Sequence, residues 1–186
     1  GIRNHYATDP PVRVFLMGTN TWRNEAGFPL PGTQTTAYYL SQGTLSRTKP
    51  AGPSSESYTY DPKNPVPTIG GRLCCGARFA PGPADQRPNE TRPDVLVFST
   101  PPLTEDVEVT GFITLKLYAA SSAPDTDFTA MLSDVEPNGY SRLLTDGIVR
   151  ARFRNSTTRE EPIQPGKVYE YTIDLWATGN VFQKGH

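Results

Sequence analysis

The clearest alternation of apolar and polar positions runs through "EDVEVTGFITLKLYAAS". There Val107, Val109, Ile113, Leu115, Leu117 and Ala119 share one parity, and Glu108, Thr110, Thr114 and Lys116 take the other. A period of two held this long predicts a strand with one face in a core and one in water. Gly111 interrupts it and predicts a bend or bulge. "DFTAMLSDV" predicts the next strand, and Asn138-Gly139 in "EPNGY" predicts a hairpin, because both residues tolerate positive φ. In "SRLLTDGIVRARFRN", Val149, Ala151 and Phe153 alternate with Arg150, Arg152 and Arg154. After the turn "QPG", "KVYEYTIDLW" sets Tyr169, Tyr171, Ile173 and Leu175 against Glu170, Thr172 and Asp174.

Nearer the N-terminus, "PPVRVFLMG" carries Val12, Val14 and Leu16 on one parity and Phe15 and Met17 on the other, which predicts a strand buried on both sides and ending at Gly18. "NTWRNEAGFPLPGTQ" reads as a loop holding Trp22 and Phe28, and "TAYYL", residues 36–40, as a short strand. Residues 41–94 are the least regular part, and regularity resumes at "DVLVFST". No stretch shows capped 3.6-residue periodicity. The 19 prolines and 16 glycines break helices and supply turns between short strands. The predicted fold class is all-β, an antiparallel β-sandwich of the jelly-roll type.

A length of 186 residues suits one domain with a sizeable core. A net charge of −1 supplies no field for nucleic acid or an anionic membrane, so neither is expected as a partner. The sequence has no run of eighteen apolar residues, and "GIRNHYATDPP" has no apolar h-region, so neither a membrane span nor a signal peptide is read here. The two cysteines, Cys74 and Cys75, are adjacent. Neighbouring strand residues point to opposite faces and a bridge between them strains the peptide, so two reduced thiols are expected, which points to a cytoplasmic protein.

Catalytic constellations are sparse. There is no G-x-S-x-G, H-E-x-x-H or phosphate-cradling loop, and both histidines, His5 and His186, lie near termini, where a triad imidazole is hard to hold. The Arg150, Arg152, Arg154 stripe reads as the wet face of an amphipathic strand, facing Glu170 and Asp174, in preference to an anion site. Asp125 and Asp127 in "SAPDTDF" admit three readings. Calcium is disfavoured because no glycine-bearing loop with further acids follows, and acid–base work because nothing marks a pocket. The structural reading is that Pro124 stops a strand and the carboxylates accept N–H groups in the turn. No metal or cofactor is expected. Trp22 and Trp176 offer a sugar-stacking alternative, although aromatics of β-sandwiches more often fill cores.

Several strings together resemble one family. They are "PPVRVFLMG" with "WRNE", "FPLPGT" and "YYL"; "YTYDPKNPVPTIGG"; "GPADQRPNETRPDVLVFSTPPLTEDVEVTG"; "SSAPDTDFTAML"; "LLTDGIVRARFR"; and "PGKVYEYTIDLWATGNVFQKGH". In this order they are similar to the C-terminal domain of the cocaine esterase and Xaa-Pro dipeptidyl-peptidase family of serine hydrolases, which includes α-amino-acid ester hydrolases. The resemblance implies a jelly roll of the galactose-binding-domain-like type over residues 12–186, preceded by a connector over 1–11 that holds His5. It implies no catalytic residue in this chain, whose parent would be an acyl esterase or dipeptidyl-peptidase. The partners would be a catalytic α/β-hydrolase domain and its helical cap. Asp125, Asp127, Asp85, Arg87 and Trp22, with Gln86, become candidates for organising loops or interfaces. The family pattern also continues past "VFQKGH" with another strand, so the domain is expected to be truncated at His186. An open sheet edge of that kind would invite pairing with a second copy. The alternative to all this is a free-standing carbohydrate-binding jelly roll.

Overall fold

The computed structural model of the chain describes residues 8–72 and 80–186. His5, Cys74 and Cys75, and with them the expectations of a connector imidazole and reduced thiols, lie outside the described residues. The described elements are eight strands, one four-residue helix and one 3-10 turn. They belong to two compact units: Gly1–Val66, Asn89–Gly111 and Gly179–His186 form unit 1, and Pro67–Pro88 and Phe112–Thr178 form unit 2.

In unit 1, β1 (Val12–Leu16) pairs antiparallel with β2 (Thr21–Glu25), Phe15 opposite Trp22. Two expectations change here. β1 is not buried on both sides: Val12, Val14 and Leu16 turn inward, while Arg13 and Phe15 face out. The Phe15 and Trp22 rings, 5.3 Å apart, cover one another in place of a core. The stretch read as a loop around Trp22 is strand β2, because Thr21 to Glu25 complete the main-chain pairing of β1. β3 (Tyr39–Ser41) and β4 (Thr44–Ser46) form a short hairpin. "DVLVFST" makes no strand. Only Ser99 bridges Thr44, with the Leu45 N–H donating to the Ser99 carbonyl at 2.9 Å. Main-chain bonds also tie Leu103 to His186 and Gly185, so the terminal histidine's backbone is held, contrary to the expectation for a chain end.

α1 (Arg87–Glu90), β5 (Val107–Ala119) and β8 (Tyr169–Phe182) contribute residues to both units. β5 pairs with β8. In unit 2, β6 (Asp127–Val135) pairs antiparallel with β7 (Ser141–Arg150) through the expected hairpin. Only one residue of its Asn-Gly pair uses the left-handed region: Gly139 has φ 84°, and the Asn138 Oδ1 instead accepts the Tyr140 N–H at 2.8 Å. The period-two prediction holds where it was longest. The core of unit 2 is Phe128, Ala151, Ile163, Tyr171, Ile173 and Leu175, backed by Ile113, Leu115, Leu117 and Ala119 of β5. Most of these are the inward parities of β5, β6 and β8, while Ala151 comes from the 3-10 turn and Ile163 from the segment before β8. Burying six such side chains contributes roughly 1.5–3 kcal/mol for each large one before chain entropy is subtracted. β7 and β8 approach closely at Gly147, where a Cβ would collide with the Asp174 carbonyl, so only glycine fits.

The alternation through the arginines ends at Arg150. Residues Ala151–Phe153 form the 3-10 turn because the Ala151 N–H turns to the Thr126 carbonyl at 2.8 Å. The stripe is therefore not one strand face, and it does not pair with Glu170 or Asp174; only Arg154 reaches β8, at the Tyr169 ring. Glu170 bonds Lys116 and Tyr118 of β5 at 3.2 and 2.6 Å, and Asp174 accepts the Trp176 N–H at 2.7 Å.

Candidate functional site

The strand β7 organises the site residues of unit 2, and its two ends differ. At the Arg150 end, Asp127 stands directly across the ladder and receives the guanidinium in bidentate fashion, Nε at 2.7 Å and Nη2 at 2.9 Å. These hydrogen bonds from Arg150 hold the Asp127 carboxyl below the ordinary carboxylate range, against the opposing pull of partial burial. Asp125 does what the structural reading expects: its Oδ1 accepts the Arg152 N–H at 3.0 Å and so closes the 3-10 turn. The Arg152 Nε lies 3.5 Å from Asp125 and 3.6 Å from Glu160. The guanidinium of Arg154, nearly buried, stacks 4.5 Å from the Tyr169 ring centroid and donates to the carbonyls of Ala151 and Glu161. Of the two acids, only Asp125 binds a backbone N–H; Asp127 is the partner of an arginine. Each acid is taken up by a cation. Among the described residues no group of three or more His, Cys, Asp or Glu side chains has metal-binding geometry.

At the Ser141 end, residues 84–86 lie against β7. The Leu143 N–H donates to the Ala84 carbonyl at 3.1 Å, the Gln86 N–H donates to the Ser141 carbonyl at 2.9 Å, and Asp85 bridges Arg142. Asp85 accepts the Arg87 side chain at 2.8 Å and the Ser141 N–H at 3.3 Å, and its bond with Arg87 holds it below the ordinary carboxylate range. Arg87 also stacks 5.8 Å from the Tyr140 centroid. The buried group here is neither the acid nor the arginine. It is Gln86, 2% exposed, whose Nε2 donates to the Ile69 carbonyl at 2.7 Å and to the Ala84 carbonyl at 3.3 Å. Arg142 and Arg150 are eight strand positions apart, roughly 26 Å at the usual rise. The structure therefore does not bring the Asp125/Asp127 and Asp85/Arg87 pairs together into one site.

Trp22 belongs to unit 1. It is 62% exposed, with the Arg13 guanidinium 5.3 Å from its centroid, and the neighbouring Arg23 bonds Glu108 at 2.7 and 2.8 Å. In unit 2, Trp176 is 61% exposed and adopts φ 67°, rare for a bulky side chain. The Arg72 guanidinium lies 5.1 Å from its centroid. The sequence offers Trp176 as a sugar platform and does not mark Arg72 as its neighbour. The signal was available, since the alternation that turns Leu175 inward turns Trp176 outward.

Residues 4–186 match the model of the X-Pro dipeptidyl-peptidase C-terminal non-catalytic domain. The chain is 46% identical over 187 residues to the cocaine esterase of Rhodococcus sp. (strain MB1 Bresler), covering 95% of this chain and 32% of that protein. It superposes on an aminopeptidase from a marine sediment Thaumarchaeota archaeon with TM-score 0.86 and 30% identity, over 95% of this chain and 32% of that one. It superposes equally far on an α-amino acid ester hydrolase, with TM-score 0.85, 29% identity and the same coverage. The chain thus spans about a third of the length of the relatives it matches. The expected fold class, an antiparallel β-sandwich of the jelly-roll type, holds. Among the described residues no helix is long and apolar enough to cross a membrane.

Proposed function

Because the chain belongs to the X-Pro dipeptidyl-peptidase C-terminal non-catalytic domain family, we propose that it is the β-sandwich part of a larger serine hydrolase and works by packing on and stabilising the catalytic α/β-hydrolase portion and its cap. One observation carries this reading: the similarity runs through nearly the whole chain, yet through only a third of each relative. Bond breaking then belongs to the remainder, by serine attack on an ester or amide carbonyl through an acyl-enzyme. Asp125, Asp127, Asp85 and Arg87 act as organisers of loops, and Trp22 as an exposed contact. Their hydrogen bonds support that role, since each fixes a turn or a strand end and none leaves a catalytic group free.

The test has two arms. The 186-residue chain alone should not hydrolyse p-nitrophenyl acetate above buffer. In the parent hydrolase, Asp127→Ala should shorten the half-life at elevated temperature much more than it lowers kcat. Turnover by the isolated chain, or an Asp127→Ala parent with normal melting and abolished kcat, overturns the reading.

A second reading, a carbohydrate-binding module, is favoured by the exposure of Trp22 and Trp176. Each ring already has a guanidinium over it, which occupies a surface that a sugar would stack on. Titration calorimetry of the chain against a glycan panel decides it: binding lost in Trp22→Ala or Trp176→Ala supports the module.

A further inference from the structure

The strand pair β5–β8 buries one face in the core of unit 2 and turns the other outward. Charge accounts for only part of that outer face. Lys116, Tyr118 and Glu170 satisfy one another across the strands, and Asp174 is taken by the Trp176 N–H. What remains is aromatic: Phe112 is 65%, Tyr118 66% and Trp176 61% exposed. Phe112 and Tyr118 stand six positions apart on the 13-residue β5, and Trp176 lies on the 14-residue β8, so this face carries three large exposed rings along its length.

Trp176 is also fixed in place. Its positive φ is a conformation that glycine or asparagine adopts easily and a tryptophan does not. The conformation is held by the Asp174 carboxylate on its N–H, by the Thr145 hydroxyl donating to the Leu175 carbonyl, and by the close approach of Gly147 to Asp174. From the side, Arg72 lies 5.1 Å from the ring and is itself anchored by Asp146, through Nε to Oδ1 at 3.3 Å and through Nη2 to the carbonyl. Within this chain the exposed stacking with Arg72 is a small return for a strained backbone that presents an immobilised indole to water. The arrangement does match a preorganised interface anchor, an aromatic centre ringed by polar groups that are already paired.

We infer that this outer face of β5–β8, centred on Trp176 with Phe112 and Tyr118, is the surface on which the rest of the parent hydrolase docks. The inference rests on the reading above, which supplies the occupant: the two thirds of the relatives' length that lie outside this chain. It adds the face and its anchor.

Hydroxyl-radical footprinting with mass spectrometry tests it by comparing the 186-residue chain with the purified parent hydrolase. Labelling of Trp176 and Phe112 should fall by about fivefold or more in the parent, as for a desolvated interface centre. Equal labelling of Trp176 in both overturns the inference. If protection then falls on Phe15 and Trp22, the packing reading survives with a different face; if no side chain of the domain is protected, both fail. Protection of Trp176 in the isolated chain on adding a glycan also overturns it, in favour of a sugar site. In the parent, Trp176→Ala should shorten the thermal half-life while the isolated variant keeps the wild-type circular dichroism spectrum; an unchanged half-life counts against the anchor.

Discussion

The two ends of β7 are fastened by different chemistry. At the Arg150 end the tie is an ion pair in partial contact with water, Arg150 on Asp127, with side chains 47% and 35% exposed. At the Ser141 end the tie is main-chain bonding of residues 84–86, locked by the buried amide of Gln86, while the Asp85–Arg87 pair sits outside it. The difference teaches where stability resides. A buried amide that loses its partners exposes no water to the groups left behind, so its removal costs the full desolvation of those groups. An exposed ion pair has water as a ready substitute.

The strongest way to break this comparison is to remove the amide. Gln86→Ala deletes the donor to the Ile69 and Ala84 carbonyls and leaves a small void, and it should lower the stability of the chain by about 2–3 kcal/mol in urea unfolding. Asp127→Asn, at the other end, should cost only about 0.2–1 kcal/mol, less at high salt. If the order of the two variants reverses, the buried amide is not the dominant tie.

The second variant also has a pH signature. Asp127 is held below its ordinary value, so it binds its proton more readily in the unfolded chain. Its contribution is therefore complete above the unfolded value, about pH 4, and fades as pH falls through the lower folded value. The gap between wild type and Asp127→Asn should be constant from pH 5 to 7 and close below about pH 4. A gap that persists at low pH would mean that the asparagine damages packing rather than removing a charge pair.

Much of this was legible in the sequence, and the limit has a physical origin. β5, β6 and β8 bury one face each, so their side-chain parity is written into the sequence, and Leu117, Tyr171 and Ile173 lie where alternation puts them. β2 is not legible because its pairing with β1 is made by backbone groups, and its half-buried positions are the charged Arg23 and Glu25 while Trp22 faces water, so it shows no apolar alternation. The arginine stripe misled because alternation is blind to where a strand stops. The Ala151 N–H leaves the ladder for Thr126, a non-local choice that local periodicity does not encode. Among the candidate residues, Asp125 as a turn acceptor was readable from its place after Pro124. The bidentate partnership of Asp127 with Arg150, twenty-three positions away, required the hairpin register. Gln86 stands apart from Asp85 and Arg87 only in the structure, since nothing in "ADQRP" shows which of the three is buried.

The smallest expected effect concerns Trp176, and its value lies in its sign. In the isolated chain three contributions meet at this residue. Positive φ costs a non-glycine residue roughly 1–2 kcal/mol; glycine loses about 0.5–1 kcal/mol in chain entropy; and the exposed stacking with Arg72 is worth about 0.5–1 kcal/mol. Trp176→Gly relieves the first and accepts the other two, so its net change should be under about 1 kcal/mol. Trp176→Ala keeps the strain and loses the ring, so it should unfold at lower urea than the glycine variant. In the parent hydrolase both variants lack the anchor, and both should shorten the thermal half-life. If glycine is the less stable of the two in the isolated chain, the backbone at Trp176 is not strained, and an indole held at that cost for an outside partner is no longer supported.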